Sequence, residues 1–192
     1  MLASIKTLLF FTLLTGVFYP LVMTAFAQLF FPYKANGSIV IKAGKAIGSE
    51  LLAQPFTQEH YFWPRPSARN YSLFPSGASN QAPTSKLLHA ELLKRQQHSD
   101  PAGEEMLFSS ASGLDPHVSP VSASLQIQRI AKARKLTDDQ ILKLHHLVFA
   151  LTKEKEFAIL GQPRVNILLL NLALDEMEMD KEGAFGRGKT GS

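Results

Sequence analysis

An α+β fold is expected for this chain: one N-terminal transmembrane helix, then a single compact extracytoplasmic domain. Three observations predict it. Residues Thr7 to Phe31 (TLLFFTLLTGVFYPLVMTAFAQLFF) carry no charged side chain. An apolar stretch of more than about 18 residues is long enough to cross a bilayer as a helix with its backbone paired internally. The rest of the 192-residue chain mixes polar and apolar positions, and its size suits one domain able to bury a core. Within it, short β-branched runs stand beside capped, amphipathic helical segments. The expected boundaries are 7–31 for the span, 32–178 for the domain and 179–192 for a flexible, Gly-rich tail.

The span has one competing reading. Ala25-Phe26-Ala27 before Gln28 has the small-x-small pattern of a cleaved signal peptide, but the apolar run exceeds the roughly 7–15 residues of a signal's apolar region. Lys6 precedes the span, and Lys34, Lys42 and Lys45 follow it, so the positive-inside count does not favour an exported domain. A short N-terminal tail before a long hydrophilic remainder suits a signal-anchor with the domain outside. Thr15 and Gly16 permit close helix approach, and Pro20 should weaken or kink the helix.

The elements follow in order. Ser38 to Ile41 reads as a strand, and Ala46 to Gln54 as a short helix. Residues 55–83 have neither periodicity and form a loop region. Its Tyr61, Phe62, Trp63, Tyr71 and Phe74 argue for order, because disordered segments are poor in aromatics. Thr84 to Gln97 fits a helix with Thr84 as cap. A polar insert follows over 98–113, with Met106-Leu107-Phe108 as a short strand. Ser119-Pro120 opens a helix, serine capping and proline at the first position. Its basic end, Lys132, Arg134 and Lys135, suits a helix C-terminus. Thr137 to Gln140 has capping-box spacing before a helix with Ile141, Leu144, Leu147, Val148 and Leu151 on one face. Gly161-Gln162-Pro163 breaks the chain before Val165 to Leu170, read as a strand, with a helix over Asn166 to Leu174 as the alternative.

Composition excludes several chemistries. With no cysteine there are no disulfides, thiolate metal sites or cysteine nucleophiles. A formal net charge of +4, without a basic stripe interleaved with aromatics, does not suggest nucleic acid. Asp115 and His117 lie two residues apart and could serve acid–base chemistry or a metal; Gly113 and Pro116 beside them favour a plain turn. His145-His146 within a helix diverge by about 100° and do not form a metal pair. Ser76-Gly77-Ala78-Ser79-Asn80 lacks the spacing of a nucleophile elbow or a phosphate loop. No catalytic, cofactor or metal residue is assigned.

Several segments carry a resemblance. They are Thr15-Gly16-Val17-Phe18-Tyr19-Pro20, Ala35-Asn36-Gly37-Ser38, Gly48-Ser49, Gln54-Pro55-Phe56, Tyr61-Phe62, Arg65-Pro66-Ser67-Ala68 and Ser76 to Asn80. In the second half come Ala111 to Asp115, a helix with Gln126, Arg129 and Ala131-Lys132-Ala133-Arg134, then Gly161-Gln162-Pro163, Val165-Asn166-Ile167 and Leu170 to Asp175. Together these blocks resemble the KdpC family, a component of the bacterial Kdp potassium-transporting P-type ATPase. Gln128 stands where the family commonly has proline, so that helix is expected to start or bend differently.

The resemblance implies a non-catalytic, single-pass accessory subunit of the bacterial cytoplasmic (inner) membrane, its domain on the outer, periplasmic side. It implies partners: a channel-like potassium-binding subunit, a P-type ATPase subunit, a very small membrane peptide and the surrounding lipid. It implies a catalytic chaperone that raises the ATPase subunit's apparent affinity for ATP in high-affinity potassium uptake. ATP and potassium would act on the complex, with no cofactor held by this chain. The Asp-Lys-Thr-Gly phosphorylation motif does not occur in it. Arg65, Ser67, Ser76, Ser79 and Asn80 are candidates for the interface with another subunit, or for loop-internal hydrogen bonding; Thr15 and Gly16 are candidates for helix packing. The alternatives from other classes are an anchored or secreted hydrolase using Asp115, His117 and a serine, and a free-standing binding module.

Overall fold

The computed structural model describes residues 2–98 and 103–186. Residues 99–102 of the expected polar insert and 187–192 of the expected tail lie outside the described residues. The chain divides after Ser49 into two units.

In the first unit, α1 (Leu2–Leu13) passes through a π-helical turn (Leu14–Phe18) into α2 (Tyr19–Phe30). Together they make one helix of 29 residues with no buried side chain, which is long and apolar enough to cross a membrane. The turn has a local cause. Pro20 has no N–H to give the Gly16 carbonyl, and its ring crowds that carbonyl. The Tyr19 N–H reaches back to the Leu14 carbonyl instead, so the weakening expected at Pro20 takes the form of a wider turn. A one-turn helix, α3 (Pro32–Ala35), follows, and the Gln28 and Asn36 side-chain amides pair across it at 3.2 and 3.3 Å.

Strands β1 (Ile39–Lys42) and β2 (Lys45–Ser49) form an antiparallel hairpin. The helix expected over Ala46 to Gln54 is therefore not formed. Ala43 and Gly44 both have positive φ, 50° and 76°, the geometry of the two-residue turn that favours a hairpin. That turn commits the following residues to pairing with β1.

The second unit begins with irregular chain, then α4 (Lys86–His98). Its first turn is capped by Ser85, whose Oγ accepts from the Leu88 N–H at 3.4 Å, rather than by Thr84. The strand expected at Met106-Leu107-Phe108 is absent: Glu104–Met106 form a 3-10 turn that buries Met106. Glu105 in that turn has a structural task, since its Oε1 accepts from both the N–H and Oγ of Ser119, at 2.7 and 2.8 Å.

Helix α5 (Pro120–Arg134) starts as its sequence demands, with Ser119 Oγ accepting from the Ser122 N–H at 3.1 Å. It runs unbroken through Gln128. Helix α6 (Asp138–Ala150) has the full capping box of Thr137 and Gln140. Three short strands, β3 (His117–Val118), β4 (Thr152–Lys153) and β5 (Arg164–Asn166), form an antiparallel sheet in the order β3-β5-β4. The strand expected over Val165 to Leu170 stops at Asn166. That side chain's Oδ1 accepts from the Leu169 N–H at 3.2 Å, a helix cap, and α7 (Ile167–Gly186) begins at the next residue. Helix α7 continues through residue 186, and the Met, Glu, Asp and Lys at 177–182 include several strong helix formers.

The core is made where these helices meet the sheet. Ile127 and Ile130 of α5, Leu144 and Val148 of α6, Val165 of β5, and Ile167, Leu170 and Leu174 of α7 pack around Phe62 from the irregular segment. The spacings are i, i+3, i+4 and i+7, one face of each helix. Because Ser119 joins the α5 cap to the Glu105 turn, Ser119→Ala should cost about 1 kcal/mol or slightly more. Thermal melting of the full chain should show a drop of about 2–4 °C; an unchanged midpoint would contradict the capping role.

Candidate functional site

Residues 50–85 contain no strand or regular helix, yet the stretch around Phe62 is held as firmly as a strand. Asn171 of α7 accepts from the Phe62 N–H at 2.8 Å and donates to the Phe62 carbonyl at 3.0 Å. Gln126 of α5 does the same for Trp63, at 2.8 and 3.2 Å. Both amides are buried. A polar side chain so buried is costly unless paired, and here each pairs with backbone that would otherwise be orphaned.

Two arginines of α5 extend the grip. The Arg129 guanidinium lies over the Trp63 ring, 3.7 Å from its centroid, and donates to the carbonyls of Glu59 and Tyr61. Arg134 donates to the His60 carbonyl at 2.7 Å and to Asp175 of α7 at 2.8 Å. Tyr61 completes the cluster by donating to the other Asp175 oxygen at 3.0 Å. Burial, and then that hydrogen bond, raise the Tyr61 pKa above its ordinary value.

Beyond Trp63 the segment forms two open cavities joined by a common wall. The larger, about 620 Å³, is lined by Leu51, Arg65, Ser76, Gly77, Ser112 and Asp115, among others. The second, about 350 Å³, shares Arg65 and Asp115 and adds Glu105, His117, Gln162 and Arg164. Arg65 Nη1 lies 3.5 Å from Asp115 Oδ2, with both side chains roughly a quarter to a third exposed. Asp115 Oδ1 accepts from the His117 N–H at 3.0 Å, closing an Asx turn. Burial pushes the Asp115 carboxyl up, but His117 and then Arg65 outweigh it and hold its pKa below the ordinary value. The His117 ring Nδ1 is 3.7 Å from Asp115 Oδ1. Asp115 and His117 form the turn that their neighbours suggested, with Arg65 as an added partner of the carboxylate. Across the larger cavity two loops approach closely. A Cβ on Gly113, at φ +71°, would lie 2.8 Å from the Gly77 carbonyl oxygen.

The structure divides the candidate contact residues. Arg65 and Ser76 line the larger cavity. Ser67 and Ser79 line another of about 280 Å³ with Arg69 and Arg95. Ser67 Oγ also accepts from the N–H groups of Arg69 and Tyr71, at 3.2 and 3.0 Å. Asn80 sits at φ 54°, a left-handed position that asparagine tolerates. Thr15 donates to the Phe11 carbonyl at 2.7 Å, and Gly16 lies in the π turn with open space around it within this chain. Sequence reasoning missed Gln126 and Asn171 as clasps. Buried amides on helix faces otherwise apolar were the available signal.

The structure defines a class: an α+β domain built around held surface loops, preceded in the chain by one helix long and apolar enough to cross a membrane. Residues 1–176 match the family model described as KdpC, K+-transporting ATPase, c chain. The chain is similar to the potassium-transporting ATPase KdpC subunit of Leptospira interrogans, 48% identical over 90% of this chain and 91% of that one. It is likewise similar to those of Methylococcus capsulatus, at 45%, and Geobacter metallireducens, at 44%, each over 91% of this chain and 96% of the relative. The chain belongs to the KdpC family of potassium-transporting ATPase subunits.

Proposed function

We propose that this chain is a non-catalytic subunit of an ATP-driven, high-affinity potassium uptake pump, and that it raises the ATP affinity of the pump's P-type ATPase subunit. The observation that carries the reading is the match to the KdpC model over residues 1–176. The uncovered 29-residue apolar helix supports it, since such a surface needs lipid or other spans around it. In this reading the chain is single-pass in the inner membrane, with its domain on the periplasmic side. Its partners are a channel-like potassium-binding subunit, the ATPase subunit and a very small membrane peptide.

A domain outside the membrane has no access to cytoplasmic ATP. Its effect on nucleotide affinity is then a coupling through the partners' conformations, in which it binds one assembled state better than another. Docking on the channel-like subunit through Arg65, Ser67, Ser76, Ser79 and Asn80, with Thr15 and Gly16 against a neighbouring span, would supply that difference.

The test is purification of the tagged chain in mild detergent from potassium-starved cells of its host. A P-type ATPase chain should co-purify, with potassium-stimulated ATP hydrolysis whose KM for ATP rises when this chain is removed. Recovery of the chain alone, folded, would refute the subunit reading. The double variant Arg65→Ala/Asn80→Ala should lower recovery of the partners while the domain stays folded; unchanged assembly and ATPase activity would remove these residues from the interface.

A further inference from the structure

The first unit holds Lys6, Lys34, Lys42 and Lys45, and no Asp or Glu occurs before Glu50. Lys34, Lys42 and Lys45 follow the apolar helix closely, on the side where a positive-inside count does not want them for an exported domain. Nothing in the subunit reading uses them.

The geometry keeps these lysines near the helix end. A helix of 29 residues is about 43 Å long, against about 30 Å of hydrocarbon in a bilayer. Its ends therefore reach the headgroup layers. From there the chain turns back rather than leading straight away. The Gln28–Asn36 amide pair brings Asn36 beside the last turns of α2, and Asn36 Nδ2 donates to the Pro32 carbonyl at 2.7 Å. The Ser38 N–H donates to the Tyr33 carbonyl at 3.0 Å. Ser49 Oγ donates to the Gly37 carbonyl at 2.6 Å, which fixes the open end of the hairpin to the same point. A strand of four residues extends about 13 Å. Even a hairpin standing straight off the surface thus keeps its tip near one Debye length, about 8–10 Å, from the headgroups.

Two further features define the ligand. Lys42 and Lys45 stand directly opposite each other in the β1–β2 register. Like charges so placed repel, and an anion lying across them offsets the repulsion. Beside Lys34, Phe30, Phe31 and Tyr33 are exposed, at the end of the apolar helix where aromatic rings meet the headgroup level. A phosphate carried on acyl chains suits both features; a free anion suits only the first. We propose that α3 and the β1–β2 hairpin form a basic collar for anionic phospholipid headgroups, with Lys34, Lys42 and Lys45 meeting the lipid phosphates in whichever leaflet the helix enters. The proposal rests on the membrane-spanning reading of that helix.

The test reconstitutes the full chain into phosphatidylcholine vesicles that contain spin-labelled phosphatidylglycerol or, separately, spin-labelled phosphatidylcholine. Electron paramagnetic resonance then measures the motionally restricted lipid around the chain. The wild type should prefer phosphatidylglycerol about fivefold or more, since each lysine near an anionic surface supplies about that factor. K34Q/K42Q/K45Q should lower the preference about threefold or more. K86Q/K132Q/K143Q makes the same change of charge at exposed lysines of the second unit and should leave it intact. An equal preference in the wild type and the collar variant, or an equal loss in the charge-matched control, would overturn the collar. Loss of the wild-type preference on adding inorganic phosphate at constant ionic strength would mean a free-anion site and overturn lipid as the occupant. A restricted lipid shell without any preference would sink the collar alone and leave the spanning reading standing; no restricted lipid of either kind would sink both.

Discussion

Replacing Asn171 by alanine should lower stability by about 3–5 kcal/mol, among the largest effects available to one substitution in this domain. Two hydrogen bonds are lost, to the N–H and the carbonyl of Phe62. Both backbone groups are left buried without a partner, at about 1–3 kcal/mol each. Phe62, the fully buried aromatic at the centre of the core, then has no fixed position. Against a total of about 5–15 kcal/mol for a domain, this removes about a fifth or more. The chain's one tryptophan, Trp63, is the next residue along and reports the change. Its thermal transition should fall by about 10 °C; a shift under about 2 °C would show that the clasp is dispensable.

Arg134→Ala should come second, at about 2–3 kcal/mol. The guanidinium is 5% exposed and its partner Asp175 33%. Breaking a fully buried pair costs about 3–5 kcal/mol, and the exposure of Asp175 discounts that figure. The substitution also orphans the His60 carbonyl and uncovers the Tyr61 ring. Lysine should rescue little, because it cannot present the arginine fork to a carbonyl and a carboxylate together. Full rescue by lysine would show that charge alone matters. The same cluster sets an alkaline limit. The folded Tyr61 pKa is raised, and so is that of Tyr71 through burial. A raised folded pKa gives stability that is complete below the ordinary tyrosine value and is lost as pH rises through the folded one. Melting midpoints should therefore hold through neutral pH and fall above about pH 10.

The parts of this fold legible in the sequence were those set by local chemistry. Ser119-Pro120, the Thr137–Gln140 box and the Asp115 turn each satisfy backbone groups within a few residues, so their patterns suffice. The misread elements depend on distant partners or on a single switch residue. Residues 46–49 are a strand because the Ala43-Gly44 turn folds them onto β1. Residues 104–106 are a helical turn whose Glu105 serves a helix start fourteen residues on. Asn166 ends a strand by capping a helix, so the apolar run after it is read correctly only once that side chain's bond is known. The site followed the same rule. Arg65 was visible as a candidate, but its pairing with Asp115, fifty residues away in sequence, was not. Gln126 and Asn171 entered only as part of the family resemblance, although their bonds to Trp63 and Phe62 determine where the loop lies.

The π turn at Leu14–Phe18 changes which side chains share a face of the apolar helix. Pro20 forces one turn to take an additional residue, and each residue of an α-helix advances the side-chain direction by about 100°. The stripes on Leu2–Leu13 and on Tyr19–Phe30 are therefore out of phase by about that angle. A wheel drawn straight through the span would assign faces wrongly on one side of Pro20. The helix therefore presents different faces before and after Pro20, and a straight helix laid along it could match only one of them.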